Sequence, residues 1–324
     1  MATTVPNEAA GSQPPHPRRG PPPATSPDGP PPPDPPAGPL AAGLAAMAEP
    51  PASSTPRPGP DGVAGSPDAG DPVATRPSRR LLGTEVVLVL ALSLGASGLY
   101  AALDLLKGLI ATAQPLAQQS TTLYAPAAPQ AWLDISYQVL DIATALAPVL
   151  LVAYLLVRSG ESMATIGVDT TRPAEDTRWS VALALLVGGV GLGGLFAAKW
   201  LGINRNLIVG GGAGRWWDVI LLVFQAAGAA IGEEVIVGGY LLHRFRQLGW
   251  KDNTSLVVAS LARGSYHLYQ GFGGAGANFV LGLFFGRIFQ RRGRVMPQLI
   301  AHFLIDAVAF VGYVELKPHV SWLP

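Results

Sequence analysis

Six ionisable side chains lie inside apolar stretches in the C-terminal third of this 324-residue sequence. They are Glu233 and Glu234 in "IGEEVIVGGY", Arg263 and His267 in "SLARGSYHLYQG", and His302 and Asp306 in "AHFLIDAVAF". Carboxylates and imidazoles activate water and move protons in hydrolysis. A carboxylate beside a second carboxylate in an apolar setting holds its proton more tightly, which suits a general base near neutral pH.

The spacing within these stretches places the polar groups on shared helix faces. Arg263 and His267 are four residues apart, as are His302 and Asp306, so each pair lies on one face of a helix. Each charge inside a bilayer costs roughly 2.5–3.5 kcal/mol, which is tolerable only if the groups pair or line a wet cavity. We therefore predict that their helices pack together, with Glu233, His267 and His302 around one polar cavity.

Seven apolar stretches could form the helices that position this set, because a helix needs about 20 apolar residues to cross a bilayer. They cover about residues 83–103, 132–157, 179–203, 217–242, 254–270, 276–290 and 295–315. The fifth and sixth are short, and the amphipathic segment 104–123 is either a surface helix or a partial span. The sequence predicts an all-α fold, a polytopic transmembrane helical bundle of about seven or eight spans.

The first 80 residues have a different composition and hold 23 of the 31 prolines. They contain too few large apolar residues to offset the chain entropy of a folded core, so they are predicted to be disordered. We divide the chain into a Pro/Gly/Ala-rich tail (1–80), N-terminal transmembrane helices (81–203) and a transmembrane core that carries the polar set (204–318). The tail could also recruit a partner that binds proline-rich segments.

Charge and cysteine content exclude several classes of function. The formal net charge of +1 gives no electrostatic basis for binding nucleic acid. The absence of cysteine excludes disulfides, thiolate zinc sites and a cysteine nucleophile. Clusters of Lys and Arg precede the first span and follow the second, fourth and sixth, all on one side if the spans alternate. The positive-inside rule then predicts a cell-membrane protein, in contact with lipid, with a cytoplasmic N-terminus.

Three motifs together, "EEVIVGGYL", "RGSYHLYQG" and "HFLID", resemble the CAAX-protease and bacteriocin-processing family, also known as the abortive-infection or type II CAAX prenyl endopeptidase family. Its pattern is EExxxR, FxxxH and HxxxN or HxxxD on successive membrane helices. The resemblance covers roughly residues 215–315. It implies an intramembrane endopeptidase that acts on membrane-associated peptides or proteins, including prenylated CAAX substrates.

The resemblance also implies a role for each motif residue. Glu233 corresponds to the base that activates water, and Glu234 is its neighbour in the pair. His267 is the histidine of the second motif, and His302 with Asp306 is the pair that helps hold the oxyanion. A divalent metal such as zinc and a metal-free glutamate mechanism are both left open.

Two positions depart from the family pattern. The arginine of the first motif corresponds to Gly238, and the phenylalanine of the second corresponds to Arg263. We hypothesise that Arg263 reaches across from its own helix and does the work of the missing arginine. An inactive family member is one alternative. A proton-coupled carrier is another, although carriers usually show two related halves and none is visible here.

Overall fold

The structure is a computed structural model that describes residues 77–111, 114–210 and 215–320. Its helices are α1 (Arg79–Ala91), α2 (Leu94–Ile110), α3 (Ala131–Arg158), α4 (Pro173–Trp200), α5 (Trp216–Glu233), a π-helix (Glu234–Leu241), α6 (Leu242–Gln247), α7 (Asp252–Ser265), α8 (Phe272–Arg292) and α9 (Met296–Leu316). The predicted helical membrane fold is confirmed. Residues 1–76, which make up nearly all of the predicted tail, lie outside the described residues.

Five helical segments in the described part of the chain are long and apolar enough to cross a membrane. They are Ala131–Arg158, Pro173–Trp200, Trp217–Gln247, Phe272–Arg292 and Met296–Leu316, and α1 with α2 makes a sixth if that pair is one span. The predicted count of seven or eight is not confirmed. The stretch predicted as the fifth span, 254–270, forms α7, whose 14 residues reach only about 21 Å because an α-helix rises about 1.5 Å per residue.

The region predicted as the first span is bent by 47° between α1 and α2. Ser93 lies at the break, and its hydroxyl donates to the carbonyl of Val89 at 2.5 Å. The segment 104–123 is not a further span, since α2 ends at Ile110 and a short strand, β1 (Ser120–Thr122), follows. β1 pairs in parallel with β2 (Asn206–Ile208), an exception to the all-α prediction.

Apolar side chains cover much of the outer surface of the helices. Leu99, Leu150, Leu185 and Val308 are each at least 70% exposed. Such a surface suits lipid, in which no apolar side chain needs to be hidden. The main apolar cluster lies inside, where the π-helix packs against α3, α6 and α7 around the fully buried Tyr240.

Ion pairs and hydrogen bonds join the basic loops at one end of the helices. They are Arg244 to Glu161 (2.7 Å), Arg287 to Asn253 (2.6 Å) and Arg294 to Asp176 (2.6 Å). The Arg294 guanidinium also holds the pKa of the Asp169 carboxyl well below its usual range, so that this pair stays charged at neutral pH. These contacts place the loops that carry the basic residues close to one another. The side of the membrane on which this end lies stays a prediction.

The helix that carries the two glutamates changes its winding at that point. The α-helical hydrogen bonding of α5 ends at Glu233, and residues Glu234–Leu241 form a π-helix. A π-helix has i→i+5 hydrogen bonds, is rare, and occurs frequently at functional sites. The next element, α6, continues in the same direction, so the change rotates the residues that follow Glu234 relative to α5.

Candidate active site

The two adjacent carboxylates differ in their surroundings. Glu234 is fully buried, whereas the side chain of Glu233 is 12% exposed. The difference follows from their positions, because Glu233 ends α5 and Glu234 begins the π-helix. Consecutive helical residues point about 100° apart, and only Glu233 faces the accessible side. Glu233 is therefore the carboxylate that water can reach.

Arg263 from α7 lies between both carboxylates, as the sequence predicted. Its Nη1 donates to Oε1 of Glu234 at 2.7 Å, and its Nη2 lies 3.4 Å from Oε2 of Glu233. The arginine is 1% exposed, so a charge at this depth needs its partners. The centre of its guanidinium also lies 5.8 Å from the ring of Phe285 on α8. Arg263 thus holds the glutamate pair from a neighbouring helix.

His302 from α9 extends the network to a third carboxylate. Its Nδ1 lies 2.9 Å from Oε1 of Glu234 and 3.3 Å from Nη2 of Arg263, while its Nε2 lies 3.3 Å from Oδ2 of Asp306. Both ring nitrogens therefore face carboxylate oxygens, and an imidazolium would donate to each. The result is one chain of contacts through Glu233, Arg263, Glu234, His302 and Asp306 on α5, the π-helix, α7 and α9.

His267 lies just beyond the C-terminal end of α7. Its Nδ1 lies 3.0 Å from the carbonyl oxygen of Arg263, which is an acceptor, so Nδ1 carries the proton in this contact. The neutral ring then keeps its lone pair on Nε2. The ring packs beside those of Tyr266 and Tyr269. Within the described residues it has no hydrogen bond to the carboxylates, so His267 borders the network rather than joining it.

Sequence reasoning missed Tyr266. Its hydroxyl donates to Oε2 of Glu233 at 3.0 Å, and its ring is 5% exposed within the main apolar cluster. In the sequence, only its position immediately before His267 pointed to a role in the site. A tyrosine in an apolar core is common and does not by itself indicate a functional site.

A polar clasp, defined as residues 116–124 with 201–210, fixes the loop that follows His267. The backbone N–H of Arg205 donates to the carbonyl of Gln270 at 2.8 Å, and the Arg205 guanidinium pairs with Asp104 on α2. Oδ1 of Asn204 accepts the N–H of Gly274 at 2.8 Å. These contacts set the position of residues 268–274 and hence of His267.

Tyr124 belongs to the same clasp and packs edge-on against Phe310 of α9. Burial, reinforced by the nearby Asp306 carboxylate, raises the pKa of the Tyr124 hydroxyl above its usual range. The hydroxyl therefore stays protonated at neutral pH and can donate a hydrogen bond.

Gly238 leaves space beside the buried Glu234. A Cβ at this position would lie 2.9 Å from Oε2 of Glu234, closer than a carbon and an oxygen can pack. Gly238, Glu234 and Arg263 line a small cavity with room for about one water molecule. The position that carries arginine in the family motif thus has no room for a side chain while Glu234 and Arg263 occupy their present places.

The side chains do not fit a resident metal ion. Within the described residues no group of three or more His, Asp or Glu side chains is arranged to hold one. The space between Glu233, Glu234 and His302 is taken by the guanidinium of Arg263. The chain itself therefore supplies the cation at this place.

Residues 215–308 match the family of type II CAAX prenyl endopeptidase Rce1-like proteins. This part of the chain is an Rce1-like domain. The match includes all six residues singled out from the sequence and confirms the family expected from the motifs. No curated protein and no solved structure shows significant similarity to the chain.

The Rce1-like domain does not contain every residue that shapes the site. Tyr124 and Asn204 precede its first matched residue, as do β1 and β2. Within the domain, Gly238 and Arg263 depart from the motif pattern, yet a guanidinium still faces the glutamate pair. As a protease-family domain buried among apolar helices, this region supports a membrane-embedded hydrolase in general terms.

Proposed function

We propose that the protein is an intramembrane endopeptidase that hydrolyses peptide bonds of membrane-associated substrates, prenylated CAAX-type proteins among them. One observation carries the proposal: within an Rce1-like domain, Glu233 is held by Arg263 at the partly open end of a buried chain of acids and bases. The N-terminus would face the cytoplasm.

The proposed chemistry begins with a water molecule beside Glu233. The carboxylate takes a proton from this water as its oxygen attacks the carbonyl carbon of the scissile peptide bond. Arg263 keeps the carboxylate oriented through charge-assisted contacts. The base is thus prepared before the substrate arrives, which lowers the cost of organising it during the reaction.

The remaining groups handle the charge that develops on the substrate. The N–H at Nε2 of His302 faces Asp306 at 3.3 Å, the longer of the two contacts that the ring makes with carboxylates. An oxyanion could replace Asp306 as the acceptor of this N–H. The lone pair on Nε2 of His267 is the candidate that takes up the proton accepted by Glu233 and passes it to the leaving amine as the C–N bond breaks.

The proposal is tested with full-length protein reconstituted in liposomes, using a fluorogenic peptide that ends in a prenylated CAAX sequence. The wild type should cleave the peptide, and Glu233→Gln should abolish cleavage because the amide keeps the shape but cannot act as the base. Glu175→Gln is the matched control, since Glu175 is 44% exposed on its side chain and pairs with Arg292 away from the site. Its rate should equal that of the wild type.

Two results would contradict the proposal. Wild-type protein that is folded but cleaves neither prenylated nor unmodified membrane peptides would indicate an inactive family member. Proton-coupled solute uptake without proteolysis would identify a carrier, the other function that intramembrane acids and histidines support.

A further inference from the structure

Tyr266 is in direct contact with Glu233, and the motif pattern provides no role for it. Its ring is buried in the main apolar cluster, so its rotamer is fixed by packing. Only its hydroxyl reaches the polar network, where it donates to Oε2 of Glu233 at 3.0 Å. A rigid donor of this kind can set the orientation of the group that it contacts.

Two donors converge on the same oxygen of Glu233. The hydroxyl of Tyr266 and Nη2 of Arg263 both face Oε2, at 3.0 and 3.4 Å. Tyr266 directly follows α7 and lies three residues, about one helical turn, after Arg263, so the C-terminal end of α7 presents both to the carboxylate. Within the described residues no hydrogen bond is made to Oε1 of Glu233, and the side chain is partly exposed. Oε1 is therefore the oxygen that remains for a water molecule.

We propose that Tyr266 is a positioning residue that, together with Arg263, fixes Oε2 of Glu233 and so assigns Oε1 as the atom that takes the proton from water. The inference rests on the proposed function and deepens it. Tyr266 acts through Glu233 and does not touch the substrate. Its contribution should appear in the catalytic step and not in substrate binding, because the orientation of the base matters only when the proton moves.

The experiment compares Tyr266→Phe with the wild type in the liposome assay. Phenylalanine keeps the buried ring and removes only the hydroxyl. We expect kcat to fall about 10- to 100-fold, the range for loss of one hydrogen bond to a charged group, with KM unchanged within about twofold. Tyr154→Phe is the matched control, since Tyr154 is 61% exposed on α3, and it should leave both constants unchanged.

Infrared spectroscopy adds a readout that does not depend on activity. The carboxylate stretch of Glu233 is the band that disappears in Glu233→Gln, and it should shift in Tyr266→Phe because one donor to Oε2 is lost. Thermal unfolding of each variant shows whether its fold is intact. The infrared spectrum also separates this inference from the proposed function. It tests the contact between Tyr266 and Glu233 even if the wild type proves inactive on every peptide.

Three outcomes would overturn the inference while leaving the proposed function in place. Unchanged kcat in Tyr266→Phe, with an active wild type, would show that the hydroxyl does not position the base. A fall greater than about 1,000-fold would indicate direct participation in the chemistry, as for a lost oxyanion donor. A rise in KM that accounts for the whole effect would make Tyr266 a substrate-binding residue.

Discussion

Arg263 supplies the positive charge that both site glutamates face, from a position where the family motif carries phenylalanine. The glycine at 238 and the arginine at 263 are sterically compatible. Glycine at 238 leaves no side chain to collide with Oε2 of Glu234, and the guanidinium arrives from α7 to contact both carboxylates. The guanidinium that faces the glutamate pair thus comes from α7 and not from the helix that carries the acids.

Substitution of Arg263 should therefore disable the protein. Arg263→Ala leaves the buried Glu234 and the partly exposed Glu233 without this counter-charge. Breaking a buried pair typically costs 3–5 kcal/mol, so we expect loss of both activity and thermal stability. Arg263→Lys should restore only part of each, because an ammonium cannot make the planar two-point contact. Peptide cleavage and thermal unfolding measure the two effects, and an Arg263→Ala variant with wild-type values would refute the role.

The reciprocal exchange tests whether the two positions are equivalent. Gly238→Arg alone should fail, since its Cβ would lie 2.9 Å from Oε2 of Glu234 and the guanidinium site is already filled. Gly238→Arg combined with Arg263→Phe restores the family arrangement, and it should recover activity that Arg263→Phe alone lacks. No recovery in a well-folded double variant would argue against the exchange.

At the scale of single residues, the sequence allowed the Arg263 contact to be predicted and left Tyr266 undetected. A charged group in an apolar helix costs enough free energy to require a partner, so the carboxylates on the preceding span were the natural candidates. Burying a tyrosine costs much less free energy. The position of Tyr266 did not indicate whether its hydroxyl would contact Glu233 or a backbone carbonyl.

Among the elements, α7 and α8 form a close pair that determines where Arg263 lies. A Cβ at Gly282 of α8 would lie 3.0 Å from both Cα and Oγ of Ser260 on α7. Without a side chain at 282 the two backbones can approach, and this approach lets a helix of only 14 residues hold Arg263 against the π-helix. The π-helix was not predictable, because an almost wholly apolar stretch has no periodicity from which a change of winding could be read.

A valine at Gly282 should push α7 away from α8. Gly282→Val is expected to lower the thermal stability and to reduce peptide cleavage at least 10-fold, because overpacking of about 1–3 kcal/mol would be relieved by moving Arg263 off the carboxylates. Gly276→Val on the same helix is the matched control. It bears the same helix-propensity cost, but a Cβ there meets nothing within 4 Å. Equal behaviour of the two variants would show that the contact at 282 does not position Arg263.

On the scale of the whole molecule, the clasp links the N-terminal helices to the Rce1-like domain. Arg205 joins Asp104 of α2 to the loop after His267, and Tyr124 packs on α9. This arrangement was not foreseen, because two strands of three residues each leave no recognisable alternation in the sequence. The ends of the three longest spans were predicted to within about six residues, since about 20 apolar residues in a row are hard to mistake.

The proline-rich tail is expected to be dispensable for the core activity. Deletion of residues 2–75 should leave membrane insertion, thermal stability and peptide cleavage close to those of the full chain, because that composition cannot form a core of its own. A matched truncation to residue 94 would also remove α1 and with it Glu85, which pairs with Arg158 of α3, and should destabilise the protein. A tail deletion that prevents folding would contradict the domain division.

The separation of the glutamates from their guanidinium has a consequence for biogenesis. Glu234 and Arg263 are 29 residues apart on different helices. The ribosome therefore synthesises both glutamates before the arginine that offsets their charge. An arginine at 238 would travel with the acids in one helix, whereas here the first helix leaves the translocon carrying two uncompensated carboxylates, at roughly 2.5–3.5 kcal/mol each. We expect α5 to be retained beside the translocon until α7 emerges, so that the two helices partition into lipid together. A nascent chain that ends before Arg263 would then be a natural substrate for membrane quality control.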